Sequence, residues 1–171
     1  MKRSTSAIVL VTVFLVVAVS HIDWVARDNG NLVVLDGKEI DLAGILKNQW
    51  TQITRNCEGV VRLAPADDKY QISADLIKSY SPPQSKSVQI AGVWSLGNWT
   101  LAEAEFVDLL PAVVLIDFSG EAPQIISNAV WSGYTQPWKA APFIRPYLMR
   151  QVPALPLKLA SCFEPQSASF R

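Results

Sequence analysis

The densest apolar patterning in the chain lies between Ser87 and Trp131. Four apolar runs of strand length follow one another there, at positions 88–94, 99–106, 112–118 and 124–131. Turn-forming residues separate them, notably Gly97-Asn98, Pro111 and the stretch 119–123. Short apolar runs bounded by Gly, Pro and Asn are typical of strands joined by tight turns. The pattern therefore predicts an antiparallel meander of about four strands at the core of a small domain.

The second run has two interpretations. Thr100–Glu103 fits a helix capping box, and residues 102–110 are good helix formers that end at Pro111. The same residues also fit the return strand of a hairpin that turns at Gly97-Asn98. We favour the strand, because the turn signal lies between two runs that each contain tryptophan.

The flanking segments predict short helices and one more hairpin. Residues 31–40 indicate a hairpin with Asp36-Gly37 at its turn. Asp41 is placed to cap a helix, and a second helix ends at Pro82-Pro83. That first helix has an apolar face at helical spacing, formed by Leu42, Ile45, Leu46, Trp50, Ile53 and Cys57.

After Trp131, prolines divide the chain into two short helices, 143–152 and 156–163, which we expect to cover one face of the sheet. We interpret residues 22–30 as a polar tether and residues 166–171 as a flexible tail. The fold class is then α+β with a mostly antiparallel sheet. A chain of 171 residues fits one such domain, over residues 31–165.

The N-terminus has the pattern of an export signal. Lys2 and Arg3 precede a stretch, Ala7–Val19, that is apolar apart from Thr12, and Ala18 and Ser20 form a cleavage pattern before His21. If the segment is extended to Val25, it reaches the length of a spanning helix. Residues 1–25 are therefore predicted to be a cleaved signal peptide or a retained signal anchor. Either way, the domain is expected on the non-cytoplasmic side, which is the periplasm in a bacterial host.

Composition narrows the chemistry. Lys plus Arg and Asp plus Glu both number 15, so the net charge is near zero, which argues against a nucleic-acid partner. The single histidine, His21, and the absence of paired cysteine motifs argue against a metal site and against a Ser-His-Asp or Cys-His mechanism. We expect no cofactor. An oxidising compartment would allow Cys57 and Cys162 to form a disulfide, and two buried thiols are the alternative.

Two sets of residues are candidates for function. Glu103 and Glu105 share one strand face at a spacing compatible with paired-carboxylate hydrolysis, and the unusual Asp117 needs Arg145 or Arg150 as partner if it is buried. Aromatic residues with a polar group are favoured at protein interfaces, although filling of the core is the alternative. The predicted partner-binding residues are Trp94, Trp99, Trp131, Tyr134 and Trp138.

The leading hypothesis is a non-enzymatic, membrane-anchored or exported envelope protein that binds another protein as an accessory or assembly subunit. The alternatives are an exported hydrolase that uses the carboxylates and a module that binds a small ligand between sheet and helices.

Overall fold

The computed structural model describes residues 21–170, which form two antiparallel sheets and four α-helices. Residues 1–20 of the predicted leader, 1–25, lie outside the described residues. Within residues 21–170, no helix combines the length and the apolar character that a membrane crossing requires.

The first sheet has three strands, β1 (Ile22–Arg27), β2 (Gly30–Leu35) and β3 (Lys38–Ile40), in that order. The predicted hairpin between β2 and β3 is confirmed. Asp36 and Gly37 have φ angles of 50° and 79°, the positive values that a two-residue hairpin turn requires. The prediction of a tether over residues 22–30 is wrong, because β1 pairs with β2 along its whole length. The last four residues of the predicted membrane segment, 22–25, therefore belong to a strand.

The second sheet has five strands in the order β4-β5-β6-β7-β8. These are β4 (Val61–Arg62), β5 (Gln89–Leu96), β6 (Trp99–Glu105), β7 (Ala112–Asp117) and β8 (Gln124–Ser132). The last four strands are the predicted meander, and β4 adds a short edge strand. The helical interpretation of residues 100–110 is wrong, because β6 pairs on both edges, with β5 and with β7. Gly97, with φ 58°, allows the tight turn between β5 and β6.

Helices cover both faces of the five-stranded sheet. The helices are α1 (Leu42–Thr54), α2 (Asp68–Tyr80), α3 (Ala140–Gln151) and α4 (Leu157–Cys162). As predicted, the two C-terminal helices cover one face, where the core includes Trp94, Leu101, Leu115, Ile144, Leu148, Leu159 and Phe163. The opposite face packs on α2 through Val93, Ala102, Val114, Ile116 and Ile77.

Helix α1 begins at the predicted position, but the face that it packs against the domain is not the predicted apolar face. The Asp41 side chain accepts a hydrogen bond of 2.8 Å from the Gly44 amide and caps the helix. The predicted apolar face is mostly exposed, and the buried residue of the helix is Asn48. The reason is that α1 packs on α3 and α4 through polar side chains, which are described below.

A disulfide joins the segment after α1 to the end of α4. Cys57 and Cys162 are bonded, with their Cα atoms 5.7 Å apart, a normal separation for such a bond. The alternative of two free thiols is thereby excluded. The bond links residues 105 positions apart in sequence, so it closes most of the domain into one loop.

Replacing both cysteines with serine should lower the free energy of unfolding by about 2–5 kcal/mol, because the unfolded chain gains the freedom that the long loop removed. Chemical denaturation followed by tryptophan fluorescence measures the loss. Reduced wild-type protein is the matched control and should unfold at the same denaturant concentration as the double variant. Equal stability of oxidised and reduced wild-type protein would contradict the prediction.

Candidate functional site

The two glutamates of β6 hold the C-terminal segment, residues 163–170. Both oxygens of the fully buried Glu103 accept the Gln166 amide, at 2.8 and 3.1 Å, and one also accepts the Ser167 amide at 2.8 Å. Glu105 accepts hydrogen bonds from the hydroxyls of Ser167 and Ser169. In the structure these contacts hold residues 166–170, within the segment for which the sequence predicted a flexible tail. A buried carboxylate needs donors, and this segment supplies them.

The two environments shift the glutamate pKa values in opposite directions. Burial raises the pKa of Glu103 above its ordinary value, against the opposing effect of the Gln166 and Ser167 amides. The hydrogen bond from the Ser167 hydroxyl, helped by Ser169, lowers the pKa of Glu105. Opposite shifts are also found in catalytic carboxylate pairs. Here the oxygens are occupied by the chain's own C-terminal segment, an arrangement that favours a structural role over a hydrolytic one.

Asp117 also has a local structural role. Its carboxylate accepts hydrogen bonds from the Ser119 amide and hydroxyl, at 2.8 and 2.9 Å, and closes the turn after β7. Asp117 is only partly buried, so the condition under which it would need Arg145 or Arg150 as a partner is not met, and its hydrogen bonds are to Ser119. Arg145 instead lies in a separate polar cluster with Asn48 and Glu164.

The Arg145 cluster joins α1, α3 and the C-terminal segment. The Arg145 guanidinium, only 4% exposed as a residue, donates to the Phe163 carbonyl, to the Asn48 side chain at 3.1 Å and to Glu164 at 2.9 Å. Arg55, which follows α1, also donates to Glu164 at 2.9 Å. The cluster explains why the buried residue of α1 is an asparagine: its amide group contacts both Arg145 and Glu164.

The cluster also sets the charge state of Glu164. Burial acts to raise the pKa of Glu164, but the hydrogen bond from Gln52, the positive charge of Arg145 and the hydrogen bonds from Asn48 and Arg145 outweigh it. The net effect is a pKa below the ordinary value. Glu164 is therefore ionised in neutral solution and balances the buried guanidinium.

The predicted aromatic residues occupy different environments. Trp94 is 6% exposed and contacts the Phe163 ring edge to face, so it is a core residue and is not available to a partner. Trp99 and Trp131 are partly buried and pack against the same core. Tyr134 is 66% exposed, between β8 and α3. The structure thus divides one predicted set into a core group and a surface group.

Trp138 lies where the three-stranded sheet meets the main body. Its indole stacks on the Phe143 ring with an interplanar angle of 13°, and a side-chain carbon added at Gly30 would lie 3.8 Å from it. The indole lines three neighbouring clefts. The most spacious has a volume of about 780 Å³ and is open to solvent. Its lining combines Ile40, Ile45, Pro137, Trp138 and Phe170 with the charged residues Lys38, Glu39, Asp41 and Lys139.

Of the residues that line this cleft, only Trp138 belongs to the predicted partner-binding set. Its walls come from β3, from the start of α1 and from residues 136–139, and Phe170 closes one side. No local sequence signal connects these segments. The Asp41 side chain, which caps α1, also accepts the Lys139 amide at 2.9 Å and so holds two walls together.

Comparison with known proteins finds no matching family model, no matching curated protein and no matching solved structure. Among the side chains of residues 21–170, no group of three or more His, Cys, Asp or Glu residues is placed to hold a metal ion. The function must therefore be argued from the clefts and exposed surfaces described above.

Replacing Glu164 with glutamine should lower the free energy of unfolding at pH 7 by about 3 kcal/mol, because it leaves the Arg145 charge buried without a counter-ion. The depressed pKa of Glu164 stabilises the fold above its unfolded pKa, and that stability is lost as the pH falls through the folded pKa. Wild-type stability should therefore fall in acid more steeply than that of the variant. Denaturant unfolding from neutral to acidic pH measures both effects.

The exposed Glu58 offers the matched control. Glu58→Gln should leave both the neutral stability and the acid dependence close to wild type. Parallel acid profiles for the wild type and Glu164→Gln would show that the ion pair does not carry the pH dependence.

Proposed function

We propose that this chain is a non-enzymatic envelope protein, anchored in or exported across a membrane by its leader, that acts as an accessory subunit by binding another protein. The binding site in this proposal is the cleft at Trp138, together with the exposed Tyr134. The open, partly apolar cleft is the observation that carries the proposal.

Two features support the non-cytoplasmic location. Disulfides persist in oxidising compartments, and the Cys57–Cys162 bond joins distant parts of this domain. The leader supplies the route of export. Since β1 begins at Ile22, the uncharged stretch left for a span is Ser4–Ser20, about 17 residues, which is at the lower limit for a spanning helix.

The shape of the cleft supports a polypeptide partner. Small-molecule sites enclose most of their ligand, whereas this cleft is widely open to solvent. Tryptophan and tyrosine supply much of the binding energy at protein interfaces. One wall is β3, the last strand of its sheet, so an extended partner segment could pair with its outer edge.

The interior gives less support to the small-ligand alternative. That hypothesis placed the ligand between sheet and helices, where fully buried side chains such as Leu101, Ile144 and Phe163 are packed together. The charged residues around the cleft, of both signs, suit a polar rim around an apolar centre, as in protein interfaces.

Replacing Trp138 with alanine should weaken partner capture by at least about tenfold, since loss of a central aromatic residue from an interface typically costs 2 kcal/mol or more. The measurement is quantitative co-purification of the tagged full chain from membranes in mild detergent. Trp50→Ala is the matched control, because Trp50 is 69% exposed and does not line the cleft. Equal capture by the wild type and Trp138→Ala, both correctly folded, would refute the binding site.

The location has its own test. The chain has two cysteines, so a denatured but unreduced exported protein should react with no maleimide-polyethylene glycol, and a reduced one should gain two adducts. The same chain without residues 1–20, retained in the cytoplasm, should carry two reactive thiols before reduction. Two free thiols in the full chain isolated from cells would contradict export.

A further inference from the structure

One face of α1 is apolar and exposed. Leu42, Leu46, Trp50 and Ile53 are 44%, 57%, 69% and 80% exposed. At about 100° per residue these four side chains lie within one narrow stripe, on the side of the helix opposite the buried Asn48. The helix contains Lys47 and no acidic residue. We call this set the α1 stripe.

A second exposed apolar group lies on the adjoining hairpin. Ile22 pairs with Leu35 across β1 and β2, and Trp24 lies two residues further along the same face. Their exposures are 39%, 43% and 70%. The opposite face of this sheet carries the fully buried Leu32. Helix α1 packs against β2, so the stripe and the hairpin group belong to the same end of the molecule.

The leader determines what lies next to this end. Val19 is the last residue of the apolar leader and is only three positions before β1. An extended chain advances at most about 3.6 Å per residue, so a membrane-inserted leader would hold the hairpin within about 11 Å of the span. The headgroup region is about 5–8 Å thick on each side of the bilayer, so the hairpin would lie within it or just above it. Tryptophan is enriched in that region, and Trp24 and Trp50 are both largely exposed.

We propose that the α1 stripe and the hairpin group rest on the surface of a phospholipid bilayer, with α1 lying in the interface. This inference depends on the retained anchor of the proposed function. The helix has 13 residues and is about 20 Å long, too short to cross the hydrocarbon core but sufficient to lie along it. Its inner face is fixed to the body by the Arg145 cluster, which leaves the apolar stripe facing outward.

This orientation would leave the opposite side of the domain free. Helix α2 covers the face of the five-stranded sheet away from α3 and α4, and α1 packs on the α3 and α4 side. Substitutions on α2 therefore serve as controls that do not touch the proposed membrane-facing surface.

The test uses the full chain reconstituted in phosphatidylcholine vesicles, with and without brominated acyl chains that quench nearby tryptophan. The six tryptophans all lie after the uncharged stretch Ser4–Ser20, so none reports on the span itself. The measured quantity is the fluorescence that is lost in brominated relative to unbrominated vesicles. Trp50→Phe should reduce this loss at least about twofold, and the combination of Trp24→Phe with Trp50→Phe should reduce it further. Trp99→Phe, which removes an indole that packs against the core of the five-stranded sheet, should leave the bromine-dependent loss of emission unchanged.

A charge on the stripe gives a second readout. Leu46→Glu should detach α1 from the bilayer, because a carboxylate is costly to place in apolar surroundings. The total quenching of this variant should then fall to that of Trp50→Phe. Ser79→Glu on α2, also exposed, is the matched control and should have no effect. Unfolding curves for both variants should match wild type, since neither side chain is buried.

Carbonate extraction separates this inference from the proposed function. Release of the chain by carbonate would contradict the retained anchor. Quenching is measured on the vesicle-bound chain before extraction, so it tests the contact with lipid whether or not carbonate releases the chain. Equal quenching of the wild type and Trp50→Phe would overturn the inference and leave the anchor intact. Cross-linking of the stripe to a second copy or to another protein in place of quenching would also overturn it.

Discussion

A buried guanidinium must be neutralised and hydrogen-bonded, and this requirement at Arg145 organises the domain. Its partners come from three separate parts of the chain: Asn48 of α1, the Phe163 carbonyl and the Glu164 carboxylate. None of these groups can satisfy the charge alone. The packing of α1 and the C-terminal segment against α3 therefore brings all of these hydrogen-bond partners to the Arg145 guanidinium.

The same C-terminal segment carries a succession of attachments. The Cys57–Cys162 bond lies at its start, Glu164 meets Arg145, the amides of residues 166 and 167 meet Glu103, and Phe170 is buried in the core. Each attachment shortens the free segment that follows, so the next contact costs less entropy to form. Phe170 also lines the Trp138 cleft, which links the attached segment to the proposed binding site.

The polar packing of α1 has a consequence on its other side. A helix usually buries its apolar face, but α1 uses its polar face to reach the Arg145 cluster and so exposes its apolar one. An exposed apolar surface on a soluble domain generally marks a contact with a partner or a membrane. In this proposal the domain has two binding surfaces, the Trp138 cleft for a protein and the α1 stripe for lipid. Both depend on the position of α1.

The sequence by itself determined the local elements. Alternating apolar runs and the turns at Asp36-Gly37 and Gly97-Asn98 predicted the meander and the hairpin, and Asp41 predicted the start of α1, because strand pairing, turns and caps depend on neighbouring residues. The tertiary structure alone decided what each face meets. Periodicity shows that Glu103 and Glu105 share a face, but their partners lie more than 60 positions away. Likewise, the sequence shows that the α1 stripe is apolar but not that it is exposed. It is exposed because the buried charge of Arg145, far away in sequence, binds Asn48 on the opposite face of the helix.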